Sequence, residues 1–286
     1  MKILLCVAGM PYAEAAVSFG SIIAGVTKSP VTLLHVAHRK KDRAAGERIL
    51  AAAREMLPGL TVEMRIRQGD PVRQILAEVQ EGHYDLTVVG ARQGGGLTQQ
   101  LLGSVAQKVV RCIPTSVVVA REIGPVLSDV LSLSKGPAEG PSLERVLICT
   151  GGKDVAVPVI EAGAWLAEAA HAQATLLHVT SFAPGMYTGL HAIEETLPRL
   201  LQTDTPTARH LRRGAEILER HQVTAKLRLR QGIAADEILR ETREGDYDLV
   251  VIGASGAAGR LREWLLGNVT RQIVEHSPHS VLVVKQ

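Results

Sequence analysis

The feature that most constrains this chain is that it is written twice. "ILLC" at Ile3–Cys6 returns as "VLIC" at Val146–Cys149, and "VTLLHV" at Val31–Val36 returns as "ATLLHV" at Ala174–Val179, both offset by 143 residues. Further on, "RQGDPVRQIL" (67–76) matches "RQGIAADEIL" (230–239), and "EGHYDLTVVGA" (81–91) matches "EGDYDLVVIGA" (244–254), now offset by 163. "PTSVVV" (114–119) matches "PHSVLV" (278–283) at an offset of 164. The larger step places an insertion in the second copy around "SFAPGMYTGLHAIEETLPRLL", and the last step places one extra residue in a glycine-rich loop. Self-similarity on this scale in 286 residues predicts two copies of one domain. Between them "REIGPVLSDVLSLSKGPAEGPSLER" is rich in Gly, Pro and Ser and reads as a linker. The expected divisions are 1–122, a linker over 123–143, and 144–286.

Each copy alternates short apolar runs with helical stretches. In the first, strands are predicted near Ile3–Ala8, Val31–Ala37, Thr61–Arg67, Leu86–Gly90 and Ser116–Ala120. Their near-continuous Val, Ile and Leu content is that of strands covered on both faces. Asp70 followed by Pro71 predicts a capped helix start, and Gly82 its end. Strands alternating with helices require right-handed crossovers and a parallel sheet. The fold class is therefore α/β: two tandem five-stranded, Rossmann-like parallel-sheet domains.

Composition narrows the function. A net charge of +3 is too near balance for a nucleic-acid partner. No run approaches the ~20 apolar residues of a membrane span. "KILLC" at the start recurs as "RVLIC" in mid-chain, so it reads as a first strand and not as a leader. Cys6, Cys112 and Cys149 have no paired or metal-type spacing, which points to a reduced, cytoplasmic chain.

Two stretches carry candidate chemistry: "VVGARQGGGLTQQLLGSV" (88–105) and "VIGASGAAGRLREWLLGNV" (251–269). Each runs from a strand through a glycine cluster to a helix, where backbone N–H groups can hold phosphate. Gly90 and Gly253 stand at the strand ends, and Gly103-Ser104 and Gly267-Asn268 at the helix starts. Neither stretch has the spacing of a Walker loop or of Gly-x-Gly-x-x-Gly.

The run "YDLVVIGASG…LLGNVT…SPHSVLVV", with "LLHV" upstream, resembles the universal stress protein family in tandem form. That resemblance covers both copies and implies the five-stranded fold. It also implies ATP or AMP, with Mg, held through Gly-x2-Gly-x9-Gly-Ser/Thr, an Asp after strand one near the adenosine, and main chain around the valine after the strand-two His. In the first copy Gly90, Gly103 and Ser104 match, but Gln93 fills the second glycine place and Gly94 falls one step late. In the second copy Gly253 and Gly256 match, ten residues separate Gly256 from Gly267, and Asn268 replaces the hydroxyl residue; Val179 follows the strand-two His, and Ile252 and Val269 flank the glycines. Ala8 and Gly151 stand where the Asp would be. Losing a carboxylate that accepts from a ribose hydroxyl costs ~1–3 kcal/mol.

"CTGGKDV" (149–155) also resembles the Ser-Gly-Gly-x-Asp-Ser loop of ATP pyrophosphatases, with Thr150 and Val155 in the serine places. Gly151, Gly152 and Lys153 therefore add anion-binding capacity to the second copy, which becomes the expected nucleotide site.

Other candidates read as structural. His35 and His178 should satisfy backbone at the end of strand two, Cys6 and Cys149 belong to the core, and Arg111 and Cys112 end a helix. His276 and His279 lie before the last strand, and His191, Glu194 and Glu195 lie in the insertion on a solvated helix face. The expected function is a non-catalytic stress-response or regulatory protein binding adenine nucleotide. The alternatives are an adenine-nucleotide enzyme (a slow ATPase, or adenylation through the "TGGKD" loop) and a ligand-free scaffold. The apolar last strands "SVVVA" and "SVLVVK" must be covered, which an internal pseudo-dimer of the two copies, or a homodimer, would achieve.

Overall fold

The computed structural model describes residues 1–9, 13–91, 102–121, 142–151, 156–180, 197–254 and 266–285. In the first half the order is β1 (Ile3–Cys6), α1 (Glu14–Thr27), β2 (Val31–Ala37), α2 (Arg43–Glu55), β3 (Val62–Gln68), α3 (Pro71–Gly82), β4 (Leu86–Gly90), α4 (Ser104–Cys112) and β5 (Ser116–Ala120). The second half repeats it with β6 (Arg145–Thr150), α5 (Val157–Ala170), β7 (Gln173–Thr180), a short α6 (Leu197–Gln202), α7 (Pro206–Arg220), β8 (Ala225–Gln231), α8 (Ala234–Glu244), β9 (Leu249–Gly253), α9 (Asn268–His276) and β10 (Ser280–Val284). Three of the five strands predicted in the first half have the observed ends, and α3 runs from Pro71 to Gly82 as its caps predict. Strand one stops two residues early at Cys6, and β3 is shifted by one. Most of the predicted linker, and His191, Glu194 and Glu195, lie outside the described residues.

Each half is a parallel sheet in the order 3-2-1-4-5, and the halves join through one antiparallel pair, β5 with β10, in register Val118↔Leu282. The result is one mixed ten-stranded sheet, β3-β2-β1-β4-β5-β10-β9-β6-β7-β8. Alternation along the strands divides the core into two layers. Ile3, Leu5, Ile148 and Phe19 lie in one, with α1, α2, α5 and α7; Leu4, Leu147 and Val109 lie in the other, with α3, α4, α8 and α9. Val117, Val118, Val119, Val281 and Val283 are fully buried at the join, so the apolar last strands cover each other.

Two cations cross the join. Arg121, just past β5, is buried and donates from Nη2 to the carbonyls of Val274 (2.7 Å) and Glu275 (3.3 Å) in the last turn of α9. Lys285, just past β10, donates from Nζ to Val110 O and Ile113 O, both at 2.6 Å, around the end of α4. Their backbone N–H groups donate to Ser280 and Ser116 at the start of the opposite strand. Cations suit helix C-termini, and burial draws Arg121 down to about 10 and Lys285 down to about 8.

The outermost strands, β3 and β8, carry a second duplicated device. Glu241 of α8, with no exposed side-chain surface, accepts from Arg230 Nε (2.6 Å) and Tyr247 OH (2.8 Å) and pairs with Arg228 Nε (3.1 Å). Glu78 of α3 makes the same set with Arg67 (2.5 Å), Tyr84 (2.8 Å) and Arg65 (2.8 Å). Burial works against the Glu78 charge, but hydrogen bonds from Tyr84 and Arg67 outweigh it and hold its pKa below the ordinary value. The arginines also make these edges poor templates for strand addition.

The repeat is not kept at the caps of α3 and α8. Asp70 accepts from Arg73 N at 2.9 Å, whereas its counterpart Ile233 starts α8 with no side-chain cap and is 69% exposed. Ile233→Asp is expected to raise stability by about 1 kcal/mol, read as a higher denaturant midpoint; an unchanged midpoint would mean the first-turn N–H groups are already satisfied.

Candidate functional site

In a doubly wound sheet, ligands settle beyond the carboxyl ends of the strands. In the second half the adjacent strands β9, β6 and β7 end at Gly253, Thr150 and Thr180. β6 pairs β9 with Ile148 beside Val251, and continuing that register sets Thr150 beside Gly253. Gly151, Gly253, Val179 and the start of α9 therefore share one edge. In the first half Gly90, Gly103 and Ser104 stand at the equivalent edge, but the antiparallel join turns it the opposite way. The two edges are separate sites.

Both glycine-loop helices begin alike. Gly267 (φ −59°, ψ 153°) precedes α9 and Gly103 (φ −65°, ψ 151°) precedes α4, and neither helix has a side-chain cap. The N-cap glycines thus supply no side-chain acceptor to the first-turn N–H groups at the positive end of each helix. At α9, Asn268 Oδ1 accepts from Arg271 Nη2 at 3.0 Å, which orients its amide NH2 as the remaining donor. Thr270 donates to Gly253 O at 2.7 Å and ties the strand end to the helix start. The first half has Ala106 at this place and cannot make the tie. A Cβ on Gly253 would come within 3.0 Å of Val159, so the turn is closely packed from below. Ile252 is buried, and Val269 and Val179 pack on the core, leaving main chain as what these three offer.

The floor of the edge is polar and hydrogen-bonded. His178 donates from Nδ1 to Thr150 O at 3.1 Å, as His35 does to Val7 O at 2.8 Å. Both histidines thus satisfy backbone, as expected. The second half adds His210 of α7, whose Nε2 bonds the Thr150 hydroxyl; the His178 and His210 rings lie 6.4 Å apart, both buried. In the first half Val7 has no hydroxyl, and His35 packs where a Cβ on Gly46 would fall, 2.6 Å from its Cδ2. Sequence reading missed His210 and Thr270, because neither belongs to a repeated motif. Gly152, Lys153, Gly256, Gln93 and Gly94 lie outside the described residues.

Burial holds His178 below its ordinary pKa, against the favourable bond to Thr150. The folded chain then takes up its proton less readily than the unfolded chain, so stability falls with pH below the unfolded value of about 6.5, by at most ~1.4 kcal/mol per pH unit. His221, raised by its bonds to Glu168 and Glu161, works the other way. Its contribution is complete below about 6.5 and is lost as pH rises through its folded pKa. His178→Asn, which keeps a donor for Thr150 O, is expected to flatten the decline below about pH 6.5 in denaturant titrations. An unchanged slope would place the acid sensitivity elsewhere.

Other predicted residues have structural roles. His279 Nε2 bonds Thr242 O at 2.7 Å, and His276 ends α9. Cys149 is buried, and burial pushes the Cys6 thiol up to about 12, which suppresses the thiolate. An open groove of about 890 Å³, walled by Ile22, Val26, Leu57, Leu60 and Leu143, lies among residues that precede strands, away from both glycine turns. No described helix is long and apolar enough to cross a membrane.

Comparison with known proteins agrees with this fold. The profile of the universal stress protein family matches residues 1–121 and 142–285. The universal stress protein YxiE of Bacillus subtilis is 28% identical over 149 residues, which are 49% of this chain and 98% of that protein. A universal stress protein of Methanocaldococcus jannaschii is 25% identical over 143 residues, covering 50% of this chain and 82% of its own. Among solved structures, a functionally unknown protein, PA1789 of Pseudomonas aeruginosa, is similar at TM-score 0.72 and 20% identity, over 99% of this chain and 92% of its own. A universal stress protein from Archaeoglobus fulgidus is similar at TM-score 0.69 and 18% identity, over 99% and 98%. These structural likenesses bear on the fold.

Proposed function

The chain belongs to the universal stress protein family, and from that premise we propose that it is a non-catalytic regulatory protein that binds an adenine nucleotide at the carboxyl edge of its second half. The observation that carries this reading is the uncapped start of α9, beside the Gly253 turn that Thr270 fastens to it. A 5′-phosphate there would receive first-turn N–H groups, the Asn268 amide and the helix dipole. Gly256 and Lys153, which follow β9 and β6 in sequence, are the residues we expect to complete the cradle, with Mg²⁺ accompanying a triphosphate. The first-half edge has the same open helix start, with Gly90, Gly103 and Ser104, but lacks the Thr270 tie and the His210–Thr150 floor, so it is the weaker site. The β5–β10 pairing supports an internal pseudo-dimer of the two halves in a cytoplasmic protein.

Calorimetry and thermal shift with ATP or AMP, with and without Mg²⁺, test the reading. Saturable binding is expected, abolished by Gly256→Asp, which sets a carboxylate against phosphate, and little changed by Gly94→Asp. Absence of heat and of any midpoint shift at millimolar nucleotide would overturn it.

A further inference from the structure

The open groove of about 890 Å³ lies between the two halves, among residues that precede strands. One wall is the end of α1, with Ile22, Gly25 and Val26, and the turn from α2 to β3, with Leu57, Pro58 and Leu60. The other is Ser142–Arg145, leading into β6, and the turn at His171 between α5 and β7. Ile22, Leu57 and Leu143 are buried, Val26 and Leu60 are half-buried, and a Cβ built on Gly25 meets none of the described atoms within 4 Å. An apolar hollow of ligand-pocket size calls for an occupant.

The duplication shows that the opening is particular to this side. At the offsets of 143 and 163, Gly25 and Pro58 correspond to Glu168 and His221. Those two bond to each other at 2.5 Å and tie α5 to the end of α7. Gly25 and Pro58 have no polar side-chain atom with which to make such a tie, so this wall stays apolar.

The connection between the halves ends at the same groove. Val119, Val281, Val250 and Leu147 stand in one row across β5, β10, β9 and β6. β5 therefore ends, and β6 starts, at one edge of the sheet, three strand spacings or about 14 Å apart. The twenty residues 122–141 that join them can reach about 66 Å. Their far end runs straight into Ser142 and Leu143, which are already a wall of the groove. Within them Val126, Leu127, Val130 and Leu131 repeat every four residues, with Ser128, Asp129 and Ser132 between, the pattern of one apolar helix face. Pro125 before this run and Gly136-Pro137 after it are start and stop signals.

We propose that the groove is the seat of this connecting segment, with Val126, Leu127, Val130 and Leu131 packed against Ile22, Val26 and Leu60 of the first half and Leu143 of the second. The connection is then a clasp between α1 and β6, not a tether. Because the segment is joined to the groove's own wall, its effective concentration there is on the order of millimolar, which favours it over a free partner of the same chemistry.

Hydrogen exchange of the full chain, followed by mass spectrometry over 122–134, tests this. Exchange at 126–133 is expected to be about tenfold or more slower than that of the same sequence as an unstructured peptide. Gly25→Trp fills the groove from an open position and leaves the segment's sequence untouched, so it should restore the unstructured rate. Leu127→Asp combined with Leu131→Asp should do the same after correction for intrinsic rates, and this pair decides if circular dichroism shows that Gly25→Trp does not fold. Wild-type exchange at the unstructured rate overturns the proposal. So does protection that survives in a folded Gly25→Trp variant, which would seat the segment elsewhere. Protection that is lost on dilution also overturns it, and makes a second copy the occupant.

Discussion

Glu241→Ala is expected to lower the stability of the chain by about 3–5 kcal/mol, the usual consequence of removing one member of a buried ion pair. The carboxylate is fully buried, accepts from Arg230 and Tyr247 and pairs with Arg228. Its loss would leave the Arg230 guanidinium, with only 16% of its side chain exposed, facing a methyl group. Glu244 also reaches Arg230, but from the exposed rim of the cluster, where water screens it, and the largely buried Glu237 stands farther off at 3.4 Å. The Tyr247 hydroxyl would lose its acceptor in a site where burial, with Glu241 adding to it, already pushes the phenol up to about 12. Glu241→Gln retains shape and one acceptor, so it should fall between wild type and Glu241→Ala. Chemical denaturation followed by circular dichroism is the measurement. A loss below ~1 kcal/mol would mean that water enters and replaces the carboxylate. Glu78→Ala makes the same change in the first half and should cost a similar amount.

Phe19→Ala is the second large effect, again about 3–5 kcal/mol. Only two phenylalanines occur in the chain, and Phe19, 1% exposed on the inner face of α1, is the largest fully buried side chain among the described residues. It sits among Val, Leu, Ile and Ala, in a layer that also includes Ile3, Leu5, Val17 and Ile23. Those residues are held by strands and helices that cannot move inward together, so the vacated volume would persist as a cavity. Phe19→Leu should recover much of the loss. If Phe19→Ala costs under ~1.5 kcal/mol, the α1 layer is plastic and the cavity collapses.

Much of the fold was legible because each signal appears twice. β2 and β4 could be bounded from the apolar runs "VTLLHVA" and "LTVVG", and α3 from Asp70, Pro71 and Gly82, since caps and strand composition act over a few residues. The glycine turns fell where predicted, at strand ends beside helix starts. What stayed hidden depends on distant residues meeting. The Arg–Glu–Tyr clusters did leave a trace: Arg65, Arg67, Glu78, Glu81 and Tyr84 each have a counterpart 163 residues later. Charged residues on an edge strand usually face water, so the trace reads as solubility until the structure shows Glu78 and Glu241 buried beneath them. His210 left none, because no histidine stands at the corresponding place of the first copy. The antiparallel sense of the join was equally unreadable, because apolar last strands need covering whichever way their partner runs.

The crossing of Arg121 and Lys285 has a consequence for what counts as one unit of this molecule. The cation that finishes α9 is encoded before the linker, and the one that finishes α4 is encoded at the far end of the chain. Cutting the polypeptide between its repeats would thus give two incomplete fragments. Each would have a raw apolar strand edge and a terminal helix whose last carbonyls had lost their donor. The missing part of each fragment is carried by the other. The gene duplication is visible as two copies, but the thermodynamic unit is the pair.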